Sequence, residues 1–300
     1  MTLKTRNLLL FGLTCFLLLN LFSWGLYIPY LKAYGLVHPL RVLPDRTPQD
    51  VHILAYQTVE FPASDGLTLR GWYVPSKNGA VVIFVHGLGS NRTELLDEAG
   101  FVTAHGYGAL LFDLRNHGQS DGDRTTFGLL EAADVIGAVA FVRAQPGIDP
   151  ARVALFGHSM GGATVLLAAV RTPGLGAVIV ENAYTSIEDN IAEGVGSLTG
   201  LPPIPFAPLV VFFGQREAGV DIKAARPVDV IGQISPCPVL IIHGELDQLI
   251  PVQNAHRLYA AAQEPKQLYL LPEVGHGGYL QVAPQEYPQH ILAFLDKYLR

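Results

Sequence analysis

The stretch that decides the fold is residues 152–170, RVALFGHSMGGATVLLAAV. Its first part, 152–157, is a short apolar run that predicts a buried strand, and its last part, 162–170, predicts a helix. Between the two, Ser159 stands in a G-x-S-x-G pattern. A serine on a sharp strand-to-helix turn projects its hydroxyl out of the sheet, and the flanking glycines let neighbouring backbone approach closely. The pattern therefore predicts a reactive serine at the carboxyl end of a strand.

Apolar runs on both sides of that stretch alternate with helical patterns. A hairpin comes first, with strands at 59–61 and 67–74 around a turn signal at 64–66. The later strands are predicted at 80–86, 108–114, 177–182, 239–244 and 267–271, and the helices at 93–105, 127–144, 252–262 and 285–298. Strands that alternate with helices imply a mainly parallel sheet with helices on both faces. The fold class is therefore α/β.

A serine hydroxyl is a weak nucleophile until a base accepts its proton, and His276 is the predicted base. It lies in a glycine-flanked loop after the last predicted strand, at the sheet edge where open α/β folds bind ligands. Other histidines near strand ends are His86, His158 and His243. His86 and His243 each precede a glycine as the first residue of a loop, and His158 is expected to point elsewhere on the serine turn.

The acid that orients the histidine should lie between the serine and the histidine in the chain. Asp247 meets this condition in the loop after the strand at 239–244, and Glu245 is its near rival. Asp247 is favoured because the loop ends at Pro251, where a helix starts. This position leaves Asp247 in mid-loop and able to reach across to the histidine.

Two backbone N–H groups are predicted to stabilise negative charge on a reacting oxygen. One belongs to Met160, next to the serine at the positive N-terminal end of a helix. The other belongs to Leu88, in the glycine-rich loop that follows the strand at 80–86. Amides aimed at a developing oxyanion each lower the barrier by about 3 kcal/mol.

The N-terminal segment predicts a membrane anchor. Residues 8–28 carry no charge, and a membrane-spanning helix needs about 20 apolar residues. Lys4 and Arg6 precede this run, which favours a cytoplasmic amino terminus and a folded domain outside the cytoplasm. A cleaved signal peptide is the alternative, although no small-residue cleavage site follows the run.

The chain divides by composition into three parts. We expect an anchor over 1–30, a proline-containing connector over 31–55 and an α/β domain over 56–300. Within that domain, residues 183–236 are apolar and rich in proline and glycine, and they interrupt the alternation of strands and helices. A segment this long predicts an inserted cap, with a membrane-contacting surface as the alternative.

Charge and cysteine content exclude several classes of protein. The net charge of the 300-residue chain is −6, without runs of lysine and arginine, so no nucleic-acid surface is predicted. The two cysteines, Cys15 and Cys237, cannot form a disulfide framework. No Cys/His cluster has zinc-site spacing, so no metal site is predicted.

Five segments resemble motifs of the α/β-hydrolase superfamily: FVHGLGSNR, FDLRNHGQSDG, LFGHSMGG, IIHGELDQLIP and GHGGY. They are similar to the branch of serine aminopeptidases, monoacylglycerol lipases and membrane-anchored ABHD-type lipases and depalmitoylases. The resemblance covers about residues 56–300 and implies an α/β-hydrolase fold, hydrolase chemistry and no cofactor. It implies a catalytic triad of Ser159, Asp247 and His276, and the same two oxyanion donors. In the second segment it implies a structural loop, formed by Asp113, Arg115, Gly118 and Ser120.

These features predict a serine hydrolase that cleaves carboxylic esters or thioesters through an acyl-enzyme. The apolar cap and the anchor favour a lipid-like, acyl-chain substrate. A serine-type aminopeptidase is one alternative, in which Glu188, Asp189 or Glu193 of the cap would hold the substrate's amino terminus. A membrane-tethered binding protein without turnover is the other alternative. The oligomeric state is left open.

Overall fold

The backbone folds around one β-sheet, and the computed structural model describes residues 3–199 and 202–299. The strands are β1 (Gln57–Pro62), β2 (Thr68–Val74), β3 (Val81–Val85), β4 (Gly108–Phe112), β5 (Val153–His158), β6 (Ala177–Glu181), β7 (Val239–Gly244) and β8 (Lys266–Leu271). They form an eight-stranded sheet in the order β1-β2-β4-β3-β5-β6-β7-β8. β2 is antiparallel to β1 and β4, and the other neighbouring pairs are parallel. The predicted hairpin and mainly parallel sheet are thereby confirmed.

Helices cover both faces of this sheet, as predicted. They are α1 (Leu3–Val37), α2 (Leu96–Ala104), α3 (Glu131–Arg143), α4 (Met160–Ala169), α5 (Ile187–Thr199), α6 (Pro203–Ala218), α7 (Pro227–Val230), α8 (Gln253–Ala261), α9 (Tyr279–Val282) and α10 (Glu286–Leu299). Residues of α3, α4 and α8 form one core cluster with one face of the sheet, and residues of α2 and α10 form a second with the other face. Successive residues of β3 alternate between the two clusters, which is why the whole strand is buried.

Helix α1 extends beyond the predicted anchor. It contains a π-helical turn at Ser23–Tyr27 and continues to Val37, so residues 31–37 of the predicted connector are helical. The continuation has a tertiary cause, because Ala33 and Val37 are buried in the core and α1 packs along α6. By length and composition α1 could cross a membrane, and none of its most apolar 18-residue window is buried.

The segment between β6 and β7 is helical and packs over the sheet's carboxyl edge. It holds α5, α6 and α7, and we call residues 183–236 the cap; residues 200 and 201 lie outside the described part of the chain. α5 packs on α6, and α6 in turn contacts α1. The backbone at Ile204 is extended instead of helical, and Pro205 directly follows it. A residue that precedes a proline is disfavoured in the helical region, which accounts for the kink.

The loop after β4 has the structural role that the resemblance implied. The Asp113 carboxylate accepts hydrogen bonds from the backbone N–H and the guanidinium of Arg92, at 2.8 and 2.6 Å. The Ser120 hydroxyl donates to the Asp113 carbonyl, at 2.6 Å. Gly118 has a φ of +45°, and a Cβ there would lie 2.1 Å from the Asp113 carboxylate. Arg115 forms a buried ion pair with a carboxylate of α3, at 2.6 Å. The loop is therefore held by buried charge and close backbone packing.

Candidate active site

Ser159 occupies the sharp turn between β5 and α4. Its φ and ψ are 56° and −121°, a strained combination for a residue with a side chain. A Cβ on Gly157 would lie 2.3 Å from the carbonyl oxygen of Gly161, and one on Gly161 would lie 2.1 Å from that of Val85. Both glycines are needed because backbone packs on backbone here. The turn therefore lifts the serine from the sheet at its carboxyl edge, as predicted.

The structure brings together the three side chains that the sequence singled out. His276 Nε2 lies 2.9 Å from the Ser159 hydroxyl, and His276 Nδ1 lies 2.7 Å from Asp247 Oδ2. An ionised carboxylate only accepts hydrogen bonds, so Nδ1 carries the imidazole proton. Nε2 is then free to accept the proton of the serine. The near rival Glu245 is exposed.

Asp247 is buried and surrounded by donors. Its Oδ1 accepts the backbone N–H groups of Leu249 and Ile250, at 2.8 and 2.9 Å. Its Oδ2 accepts from His276 and from the side-chain amide of Asn182, the latter at 2.5 Å. Burial raises the pKa of Asp247, but these hydrogen bonds outweigh it and hold the pKa below its ordinary value. The carboxylate therefore stays ionised while it faces the imidazole.

Asn182 is a site residue that sequence reasoning missed, because it fell within the strand predicted at 177–182. It lies just after β6 with a φ of 48°. Besides Asp247, its amide donates to the carbonyl of Gly275 at 3.1 Å, and the hydroxyl of Tyr279 donates to its oxygen. Asn182 thus joins the acid loop to the histidine loop. A polar residue at the carboxyl end of a parallel strand was the available signal.

His158 is buried beside His276, and the prediction that it points away from the serine hydroxyl holds. Its Nε2 donates to the backbone carbonyl of His276 at 2.9 Å, and its Nδ1 lies 3.4 Å from the Glu94 carboxylate. The same carboxylate accepts the N–H of Gly87, at 2.5 Å. Burial alone would lower the pKa of His158, but Glu94 and the carbonyl outweigh it and raise it to about 9. This ion pair connects the loops after β3, β5 and β8.

Two further carboxyls lie behind this ion pair. Burial raises the pKa of both Glu98 and Glu181, and each is hydrogen bonded to the hydroxyl of Tyr287. They line a cavity of about 250 Å³ that also contacts His158 and the loop around His276. Across residues 3–199 and 202–299, no group of three or more His, Cys, Asp or Glu side chains is arranged to hold a metal ion.

A second cavity, of about 220 Å³, opens on the Ser159 hydroxyl. Its apolar walls come from the loops, the cap and the end of α1: Leu36, Leu88, Phe127, Met160, Ile187, Ile191, Leu249 and Ile250. Of the two cavities, this one contains the reactive groups, so we take it as the candidate substrate site. The N–H of Leu88 donates to no described residue, and Met160 is in the first turn of α4, where N–H groups lack helical partners.

The acidic residues considered for binding an amino terminus lie outside this cavity. Glu188 pairs with Lys223 at 2.9 Å, and Glu193 pairs with Arg257 at 3.0 Å. Asp189 accepts a hydrogen bond from the serine hydroxyl that precedes α5, at 2.7 Å. Each of the three therefore already has a partner outside this cavity.

Comparison with known proteins agrees with this architecture. The family described as serine aminopeptidase, S33, matches residues 76–209. The uncharacterised protein YfhR of Escherichia coli (strain K12) is 32% identical in an alignment of 231 residues that covers 73% of each chain. The uncharacterised protein YqkD of Bacillus subtilis (strain 168) is 28% identical in an alignment of 238 residues that covers 78% of this chain and 77% of that one.

Solved structures share the fold at low sequence identity. An esterase of Pyrococcus furiosus, Pf2001, superposes with a TM-score of 0.76 at 24% identity, covering 88% of this chain and 99% of that chain. An esterase of Exiguobacterium antarcticum superposes with a TM-score of 0.61 at 19% identity, covering 80% and 100%. The sequence relatives, the strand order and the serine turn agree, and the chain therefore belongs to the α/β-hydrolase superfamily.

Proposed function

We propose that the protein is a serine hydrolase that cleaves carboxylic esters or thioesters through an acyl-enzyme. The observation that carries the proposal is the imidazole of His276, which lies 2.9 Å from the Ser159 hydroxyl and 2.7 Å from the Asp247 carboxylate. His276 takes the proton of Ser159 as the serine oxygen attacks the substrate carbonyl. Asp247 holds the imidazole in the required tautomer and stabilises the imidazolium that forms.

The tetrahedral oxyanion would be held by the N–H groups of Leu88 and Met160. Support comes from the cavity at Ser159, which both residues line, and from the N-terminus of α4, which favours negative charge. His276 then gives its proton to the leaving oxygen or sulfur. Water, deprotonated by His276, attacks the acyl-enzyme and releases the acid.

An acyl substrate suits the cavity better than a peptide amino terminus. Its walls are mainly apolar, and the carboxylate that lines it, Glu94, faces the protonated His158. The cap acids that could hold an ammonium group have other partners, which weakens the aminopeptidase alternative. A non-catalytic binding protein would have no need for an aligned serine, imidazole and carboxylate.

We also propose that α1 anchors the enzyme in a membrane and is retained in the mature protein. A cleaved signal sequence is the competing explanation for an apolar helix at this end of the chain. The lack of a small-residue cleavage site directly after the apolar run supports retention. Lys4 and Arg6 support a domain on the extracytoplasmic side. A reporter fused after the C-terminus should then be active only outside the cytoplasm.

The experiment that tests the hydrolase proposal combines labelling with turnover. The purified full-length protein should react with a fluorophosphonate probe, and Ser159→Ala should abolish both labelling and ester hydrolysis. Ser64→Ala, in the exposed turn between β1 and β2, is the matched control and should behave as wild type. Esters of graded chain length and aminoacyl arylamides would be compared side by side. Folded protein without labelling would refute the enzyme, and cleavage of arylamides alone would favour the aminopeptidase.

A further inference from the structure

The last turns of α1 lie against the same cavity as Ser159. Leu36, near the end of this helix, lines that cavity together with cap residues Ile187 and Ile191. We propose that α1 is part of the substrate site and that Leu36 limits the length of acyl chain the site accepts. This inference rests on the proposed hydrolase activity and names a residue that sets its acyl-chain specificity.

Leu36 belongs to a fixed wall of the cavity. The neighbouring Val37 is buried, and its carbonyl accepts the N–H of Thr125 at 2.8 Å, which ties the end of α1 to the loop that follows β4. Two turns earlier in the helix, the ring of Tyr30 packs edge-on against Phe213 of α6, with centroids 5.6 Å apart. Because α1 is held by both the loop and the cap, the position of Leu36 is set by the fold.

The exposed apolar half of α1 is continuous with the end of α1 that lines the cavity. Between Ile28, the last residue of the uncharged run, and Leu36 the helix rises about 1.5 Å per residue, so Leu36 lies about 12 Å along the helix from the candidate span. Trp24 and Tyr27 lie in the last turns of that run, and such residues favour the headgroup layer of a bilayer. Phe212, beside the contact between α6 and α1, is 48% exposed. The candidate span and the wall of the cavity therefore belong to one continuous helix.

Because the cavity is small, the size of the Leu36 side chain should determine which acyl chains fit. Its volume of about 220 Å³ is below the range of about 300–1,000 Å³ usual for pockets that enclose drug-sized ligands. Shortening Leu36 to alanine removes three carbons from the wall and leaves room for a longer chain. Each further methylene that becomes buried should raise kcat/KM about fourfold, the equivalent of about 0.8 kcal/mol.

The test compares acyl-chain profiles of full-length variants in neutral phosphatidylcholine vesicles, using p-nitrophenyl esters from acetyl to palmitoyl. Leu36→Ala should move the optimum towards longer chains by one or two carbons, with a gain of about 4- to 16-fold for those esters relative to the shorter ones. Leu36→Phe should move it towards shorter chains. Leu31→Ala, a matched change at a residue of the same helix that is 46% exposed, should leave the profile unchanged.

The outcomes separate this inference from the proposed function. Fluorophosphonate labelling counts the active molecules in each sample, so a variant that folds poorly is corrected for the fraction that folds. If Leu36→Ala lowers that fraction severely, Leu36→Phe tests the same wall in the opposite direction. Turnover with identical profiles for wild type and both Leu36 variants would overturn this inference alone. A wild type that hydrolyses no ester would overturn the proposed function, and this inference with it.

Discussion

Replacing Glu94 with glutamine would test the ion pair that joins three loops of the candidate site. Glutamine keeps an oxygen to accept the N–H of Gly87 but removes the negative charge that faces His158. The protonated imidazole is then buried without that counter-charge, although Glu181 still contributes a weaker field. We therefore expect the Glu94→Gln variant to be less stable wherever His158 would otherwise be protonated.

The size and pH range of this effect follow from the two pKa values. Burial raises the pKa of Glu94, but His158 and the Gly87 N–H outweigh it and lower it from 4.5 to about 2, which corresponds to about 3 kcal/mol at about 1.36 kcal/mol per pH unit. The Glu94 side chain is 26% exposed, so solvent screening reduces this to about 2 kcal/mol. The Glu94 contribution is present above pH 4.5 and is lost as the pH falls through about 2. The His158 contribution is present below pH 6.5 and is lost as the pH rises through about 9.

The assay is urea unfolding of the full-length protein in detergent, at pH 6 and at pH 9.5. Wild type should exceed Glu94→Gln by about 2 kcal/mol at pH 6, and the difference should shrink at pH 9.5, where His158 is largely neutral. Glu273→Gln, a change in an exposed turn, is the matched control and should not alter stability at either pH. An equal loss at both pH values would refute the ion pair as its cause.

Two other predictions concern carboxyl groups of the same region. Asn182→Ala removes a hydrogen-bond donor from Asp247, so the pKa of Asp247 should rise. We expect kcat to fall about tenfold with little change in KM. The acid limb of the pH–rate profile should move to higher pH. Glu181→Gln removes a buried carboxyl whose pKa burial has raised, and which costs stability as the pH rises above 4.5. The urea midpoint of Glu181→Gln, relative to that of wild type, should therefore rise between pH 5 and pH 8. A difference between the two midpoints that does not depend on pH would contradict this prediction.

Much of the site could be predicted because its determinants are local in the sequence. The serine turn is encoded by two glycines, and the structure shows that a Cβ on either would overlap backbone. Asp247 and His276 each follow a predicted strand, and the carboxyl ends of parallel strands collect at one edge of the sheet. Chain order and strand ends were therefore sufficient to select these two residues from many acids and histidines.

The remainder depends on contacts between distant segments. The helix predicted from residue 127 begins only at Glu131, because Phe127 and Gly128 have positive φ values that a helix does not allow. The last turns of α1 are helical because they pack on the cap, which no local pattern encodes. Glu94 and His158 are 64 residues apart, and nothing in their spacing indicates that they meet.

The two sides of the cavity differ in chemistry, and this difference makes their functions separable. On one side, charges and directed hydrogen bonds from Glu94, His158 and Asn182 hold the loops that carry the reactive groups. On the other side, Leu36 and the cap provide apolar contacts whose strength scales with buried area and carries no pH dependence. Changes at Glu94 or Asn182 should therefore alter kcat and pH dependence but leave the ratio of rates for short and long esters intact. Changes at Leu36 should alter the ratio of rates for short and long esters and leave the pH profile intact. A variant on either side that alters both the ratio and the pH profile would show that the two sides are coupled.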